Sequence, residues 1–416
     1  MIGRTNALSA AGVELSLVVS VTTGSVVTAT KGSLSVSGTA SGGSVTLKLP
    51  EAGTWSVKAT YNGQTSDTKT VSVVDSYAVV LTFFSATINV TVPSGATVYL
   101  KKGGTTLQTK TSTGTVAFTV TETGTYTVEA TNGSQTTSGS VSVTSATSYA
   151  LTLSFVSSTL NSNEWDVISS VSDAGEGANY WSVGDRKAVV LNGTVGNLSL
   201  SSVTTYAFII GFNHNSSVEG SGRIHFQLGK TALSGGTDVC LCDSSYNSTV
   251  STTGYFSMNS SRTNSGGWAS SQMRTNICGT SLSSYSGTII AVIPAALRAV
   301  LKSVTKYTDN TGGGSTAASA VTATTDYFFL LSEYEVFGSI SYANSNESSK
   351  QAQYAYYSAG NSKIKYKHDG TTTAAFWWLR SPDSGYSYSF VSVDTGGTVS
   401  SYIANTSLGF APGFCV

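Results

Sequence analysis

The sequence repeats itself. Leu17 to Gly24 aligns with Ile88 to Gly95, an offset of 71 residues, and the same offset carries Val27 to Val98, Gly32 to Gly103, Val45 to Val116, Gly53 to Gly124 and Trp55 to Tyr126. One added residue extends the match, taking Tyr77 to Tyr149, Leu81 to Leu153 and Phe83 to Phe155. A unit this short has room for one small core and must build it with the period its apolar residues follow. That period is two: Val45, Leu47 and Leu49, then Trp55, Val57 and Ala59. Alternation puts every second side chain on one face of a strand, so each unit reads as a β-sandwich of half-buried strands. Asn62-Gly63 and Asn132-Gly133 read as hairpin turns of the type that needs two residues at positive φ.

After Phe155 the pattern changes. Trp165, Ile168 and Val171 follow helical spacing, with Asn163 as the expected cap. Lys187 to Gly193 reads as a strand ending in a hairpin, and Tyr206 to Phe212 as a buried strand. Helices are expected to start at Gly266–Arg274 and at Ile293–Leu301, the latter with Pro294 near its first turn, and Gly312-Gly313-Gly314 reads as a flexible loop. Tyr327 to Leu331 is a strand, and Ser332 to Glu335 forms a capping box for a short helix. The chain is therefore expected to be mainly β: an anchor segment 1–12, sandwich repeats over 13–84 and 85–156, and an α+β domain over 157–416.

Charged residues are only 11% of the chain, and 22 Lys plus Arg balance 22 Asp plus Glu. Phosphate and anionic lipid surfaces both call for a basic excess, so neither nucleic acid nor a membrane surface is an expected partner. The longest apolar stretch, Ile289 to Leu301, is broken by Pro294 and Arg298, so no membrane span is expected, and Met1 to Ala7 does not read as a secretory signal. Hydroxyl and glycine residues replace the charge, as in adhesive proteins outside cells.

Catalytic patterns such as His-Glu-x-x-His or Gly-x-Ser-x-Gly do not occur, and His214, His225 and His368 lie far apart in sequence. Glu333 and Glu335 are read as helix-capping groups. Cys240 and Cys242 stand too close for a zinc knuckle; they, Cys278 and Cys415 are read as buried small hydrophobes, with a disulfide as the alternative. Asp369, Asp383 and Asp394 are too dispersed for calcium. No enzyme activity, metal or cofactor is expected. Trp377 and Trp378 alternate on a strand, which predicts one core and one exposed ring; Lys363, Lys365 and Lys367 read as a solvated strand face.

Two resemblances extend this reading. The phrases Ala52 to Val57 and Thr123 to Val128 resemble immunoglobulin-like modules of bacterial surface and phage tail proteins, over about residues 13–155. The blocks Trp181 to Asp185, Gly266 to Trp268, Met273-Arg274, Phe329 to Gly338, Trp377 to Pro382 and Gly409 to Phe414 recur in that order in an uncharacterised domain of Gram-positive gut bacteria and their phages. That domain resembles the C-type-lectin-like fold shared by formylglycine-generating enzymes and variable receptor-binding proteins of phages. The enzymes hold copper with a cysteine pair near the end of the domain; only Cys415 lies there, so the activity does not carry over. Calcium-dependent lectins of this fold use Glu-Pro-Asn or Gln-Pro-Asp, where this chain has Ser381-Pro382-Asp383. Ile2 to Ala7 resembles the start of phage structural proteins.

The resemblances imply a virion structural protein, a tail fibre or receptor-binding component, assembled in the host cytoplasm and released by lysis. The alternatives are a capsid decoration or head-fibre protein and a bacterial cell-surface adhesin. Other virion proteins are the expected partners at the N-terminus. Self-association is expected, with a trimer favoured by likeness to phage fibres. The expected ligand is a host-surface glycan or protein, held by the C-terminal domain through Asp383, Ser384, Tyr386, Tyr388, Tyr402 and Asn405. These are residue types that antibody loops use for contact. Tyr386 and Tyr388 share strand parity, which would place them on one face beside a hairpin turning at Gly396-Gly397.

Overall fold

The computed structural model describes residues 15–133, 135–247 and 254–416, so the expected anchor segment 1–12 lies outside the described residues. In the first repeat β1 (Ser16–Ser20), β2 (Val26–Lys31), β3 (Leu34–Thr39), β4 (Ser44–Lys48), β5 (Gly53–Tyr61), β6 (Gln64–Thr65), β7 (Lys69–Val73) and β8 (Ser76–Val80) form two sheets. One has the order β4-β1-β8, with β8 parallel to β1; the other has the order β3-β2-β5, with β6 and β7 both on β5. The second repeat rebuilds the pair with β9 (Ala86–Thr91), β10 (Thr97–Lys102), β11 (Thr105–Thr111), β12 (Thr115–Val120), β13 (Gly124–Asn132), β14 (Gln135–Val143) and β15 (Ser148–Thr152), in the orders β12-β9-β15 and β11-β10-β13-β14. The alternating residues point inward: Leu17, Val19, Val27, Trp55 and Val57 in one core, and Ile88, Val90, Val98, Tyr126 and Val128 in the other.

The sandwich follows from the repeat: each unit pairs a three-stranded sheet with a larger one. Here β2 and β3 pair within one sheet, as do β10 and β11. The turns decide this. Lys31 pairs with Leu34 and Lys102 with Thr105, so only two residues connect each pair, too few to cross the roughly 10 Å between sheets. Asn62 and Gly63 take positive φ as expected. In the second repeat Asn132 pairs with Gln135, so the turn begins one residue later than expected.

The repeats also share a rim strut. Lys31 pairs with Glu51 at 2.8 Å, and the Trp55 indole N–H donates to the Glu51 carbonyl at 3.2 Å. Lys102 pairs with Glu122 at 2.9 Å, and the Tyr126 hydroxyl donates to the Glu122 carbonyl at 2.9 Å. Trp and Tyr interchange at this position because each is a large ring with a donor at its far end. Gly53 and Gly124 sit at φ +134° and +138°, where a Cβ would strike the lysine chain of the strut.

Contacts divide the chain between Phe155 and Val156. The C-terminal unit has one core built around the antiparallel sheet β16 (Arg186–Val195), β17 (Leu198–Phe212), β18 (Ile224–Lys230), β28 (Gly413–Cys415) and β22 (Phe328–Phe329), in that order. Smaller sheets join β19 (Val239–Cys240), β23 (Lys365–Lys367) and β24 (Gly370–Ala375); β20 (Val304–Asp309) and β21 (Val321–Asp326); and β25 (Trp377–Pro382), β26 (Ser389–Val393) and β27 (Val399–Ile403). Short helices surround them: α1 (Trp165–Asp173), α2 (Gly177–Tyr180), α3 (Ser216–Glu219), α4 (Ile289–Val292), α5 (Ala295–Ala299), α6 (Glu333–Phe337) and α7 (Ala355–Ser358).

Several local expectations are corrected. Asn163 does not cap α1, whose cap residue is Glu164; its side chain instead binds the carbonyls of Ser157, Thr159 and Leu160. The segment after Gly266 makes turns and then a single wide helical turn over Met273–Cys278. The β16–β17 hairpin turns at Gly196-Asn197, because Leu191 to Gly193 holds a bulge and the strand continues to Val195. Trp377 and Trp378 are both fully buried, since β25 is covered on both faces. Lys365 is also buried, at 1% exposure, against the rings of Trp377 and Phe208. The chain is mainly β, as expected.

Candidate functional site

Residues 383–388 join β25 to β26, and the loop is held by its own backbone. Asp383 is buried, and its Oδ1 accepts the N–H groups of Gly385 at 2.8 Å and Tyr386 at 3.2 Å. The Ser384 hydroxyl donates to the Tyr342 carbonyl at 2.8 Å. The fully buried Asn264 amide donates to the carbonyls of Asp383, Tyr386 and Ser389 at 3.1, 2.9 and 2.8 Å, while its Oδ1 accepts the Gly313 N–H at 2.7 Å. The Gly312 segment is thus packed rather than free: at φ +60°, a Cβ on Gly312 would lie 1.9 Å from the Asn264 carbonyl oxygen.

On this fixed base the Tyr386 ring is 54% exposed. Its centroid lies 5.4 Å from that of Tyr388, and the Arg262 guanidinium sits 4.6 Å from the Tyr388 centroid. The two tyrosines come together from a turn, not from the extended strand that parity implied. The Gly396-Gly397 hairpin joins the other end of β26 and is not beside them. Tyr402 lies on β27 opposite Phe390, half-buried with its ring 5.5 Å from Phe376. Asn405 is half-buried, and its carbonyl accepts from the Ser257 hydroxyl. Of the six expected contact residues, then, the exposed Tyr386 and the half-buried Tyr388 form the patch, whereas Asp383 and Ser384 shape its loop. Sequence reasoning missed Arg262 and Asn264; the one available signal was a lone cation in a hydroxyl-rich run.

A second cluster lies inside the domain. Lys306 donates to Glu219 at 2.6 Å, Glu335 at 3.0 Å and the Tyr354 hydroxyl at 2.8 Å. The Arg380 guanidinium forks onto both Glu335 oxygens and donates to the Leu330 carbonyl and the Thr308 hydroxyl. His214 stacks on Tyr354 at 3.8 Å, and His225 Nδ1 lies 3.1 Å from the Tyr354 hydroxyl and 3.3 Å from Cys415 Sγ. His214 and His225 therefore meet, their ring centroids 5.6 Å apart, whereas His368 lies elsewhere and accepts the Cys242 N–H. Burial alone would raise the Glu335 carboxyl, yet Arg380 and Lys306 hold it well below the usual range. Burial pushes Glu219 up to about 7 against the pull of Lys306. Burial, then Lys306, pushes His214 down to about 3, and His225 is driven well below its ordinary value by the same causes. Burial raises the Cys415 thiol to about 12, so it faces His225 as a thiol and not as a nucleophilic thiolate.

His214, Glu219 and Glu335 bring ligand atoms within 4.8 Å of one another, a set that could hold a metal ion. The Lys306 ammonium already bridges both carboxylates, so a metal there would have to displace a buried cation. Ser332 and Glu335 do form the expected capping box, and the same Glu335 carboxylate carries the ion pairs with Lys306 and Arg380. All four cysteines are buried and free, with Cys240 and Cys242 sulfurs 3.9 Å apart.

Fold and site together define a modular, mainly β protein: two sandwich repeats and a larger domain with a rigid tyrosine patch. A family profile described as a domain of unknown function, DUF4249, matches residues 44–277, more than half of the sequence, and the chain belongs to that family. A second profile, the domain of unknown function DUF6273, matches residues 246–416, which include the tyrosine patch and Arg380. A search of curated protein sequences finds no match. Among solved structures, GBS52, the minor pilin of Streptococcus agalactiae, is similar at 10% identity over 34% of this chain and 95% of its own, with a TM-score of 0.24. The Bacillus anthracis TIE protein is similar at 11% identity over 53% of this chain and 45% of its own, with a TM-score of 0.17. At such TM-scores neither likeness bears on function.

Proposed function

We propose that the chain is a surface-attachment protein, a tail-fibre or receptor-binding component of a virion, in which two sandwich spacers carry a C-type-lectin-like head. The observation that carries this reading is the Tyr386–Tyr388–Arg262 patch. Rigid aromatic rings beside a guanidinium supply contact area at low entropic cost, and the Asn264 clamp pre-orders the loop that presents them. The groups capable of chemistry, Cys415, His225, Glu335 and Lys306, are sealed in the interior where a substrate does not reach them. Short helices around an antiparallel sheet fit the lectin-like class that the motif order suggested. A homotrimer with the N-terminus on the particle is the assembly that fits this role.

The test is adsorption of fluorescently labelled full-length protein to a panel of Gram-positive bacteria. The wild type is expected to label at least one strain, and the folded Tyr386→Ala, Tyr388→Ala double variant to lose that labelling. A panel that stays dark, or equal labelling by the double variant, refutes the reading.

A further inference from the structure

An open cleft of about 720 Å³ lies elsewhere on the C-terminal unit, walled by the β16–β17 turn, the segment at Ser245 and Gly254-Tyr255, the wide helical turn at 272–277 and residues 284–288. That volume falls within the range of small-ligand sites. No charged side chain lines it among the described residues. Its polar groups are carboxamides and hydroxyls, from Asn197, Gln272, Thr275, Asn276 and Ser286, and its large apolar surface is the Tyr255 ring, 53% exposed.

The cleft is pre-ordered from beneath. The buried Asp243 carboxylate accepts the N–H groups of Tyr255 at 2.9 Å and Phe256 at 3.2 Å through one oxygen, and those of Ser245 and the Ser407 hydroxyl through the other. Gly196 takes φ +58°, and a Cβ there would lie 2.9 Å from Tyr255 Cβ, so the turn approaches the tyrosine as closely as glycine permits. Among the described residues the Gln272 carboxamide has no hydrogen-bond partner, and that of Asn276 only accepts, from Thr275 at 3.0 Å. Both therefore keep donors to offer a ligand.

We propose that this cleft binds a neutral saccharide. A pyranose presents one C–H face that packs on a phenol ring, and vicinal hydroxyls that pair with the donor and acceptor of a carboxamide. A sialylated or sulfated ligand would bury its charge here without a partner cation, so the cleft selects against it. With no carboxylate on its walls among the described residues, the site binds without calcium. It is separate from the tyrosine patch and does not rest on the attachment reading.

The test is saturation-transfer NMR and calorimetry on the full chain with lactose, maltose and diacetylchitobiose at up to about 10 mM, in chelator, with sialyllactose as the charged control. At least one neutral disaccharide is expected to bind. Tyr255→Ala should weaken it roughly tenfold or more, and Tyr386→Ala, Tyr388→Ala should leave it unchanged. Because Tyr255 also packs against Gly196, Ser286→Trp at the exposed rim serves as an independent block and should abolish binding. The proposal is overturned by silence of all three neutral sugars toward folded wild type, by binding that only calcium restores, by preference for sialyllactose, or by binding that survives Ser286→Trp.

Discussion

Lys365→Met should stabilise the C-terminal domain. The Lys365 ammonium is buried with no hydrogen-bond partner among the described residues, and burial pushes it from 10.5 down to about 8. Each tenfold change in proton affinity is worth about 1.4 kcal/mol, so keeping the charge inside costs the native state about 3 kcal/mol at pH 7. The faces of Trp377 at 5.0 Å and Phe208 at 5.5 Å return part of this as cation–π attraction. Methionine keeps the length and apolar contact of the chain, leaving an expected net gain of about 1 to 3 kcal/mol. The sign against pH is fixed. The unfolded lysine holds its proton up to 10.5 and the native one releases it near 8, so in that window the unfolded state binds more protons and wild-type stability rises with pH. The advantage of the variant must therefore shrink between pH 8 and 10.5. Urea unfolding followed by tryptophan emission reads this domain directly, because of the six tryptophans only Trp55 lies outside it. A variant less stable than wild type at pH 7, or an advantage that stays constant to pH 10.5, refutes the argument.

Arg380→Met leaves the buried Glu335 carboxylate with Lys306 as its remaining cation and should cost about 3–5 kcal/mol in the same unfolding assay. Adding Glu335→Gln should recover part of that loss, and additive costs would show that the two residues are not coupled. Asn264→Ala removes the clamp on three loop carbonyls and should cost about 1–3 kcal/mol. Its specific signature is faster amide exchange over Gly385 to Ser389 by mass spectrometry, and an unchanged rate there would mean that the loop holds its own shape.

The repeats were readable because their contacts are local: each sandwich closes within a span of about seventy residues, and period two names its inward side chains. Parity could not tell that both faces of β25 are covered, which is why Trp378 and its neighbour are both interior and why Lys365 is not solvated. The interior cluster was invisible for another reason. His225 meets Tyr354 across 129 residues and Cys415 across 190, and no spacing rule reaches that far. Tyr386 and Tyr388 could be singled out by residue type, but the Asn264 and Arg262 that make them a patch come from a segment more than a hundred residues earlier.

The position of β28 has a consequence for how the protein is made. It lies between β18 and β22 in the main sheet, yet it leaves the ribosome about 190 residues after β18. At about 5–20 residues per second the nascent domain waits on the order of 10–40 s with two strand edges bare, while both sandwiches have long since folded. A transcript broken between Phe329 and Gly413 therefore yields folded repeats joined to a sheet that lacks the strand between β18 and β22, a species that exposes edges and apolar surface to proteases and aggregation. Proteolysis in the producing cell would remove such chains selectively, so that the surviving molecules are those whose C-terminal domain was finished.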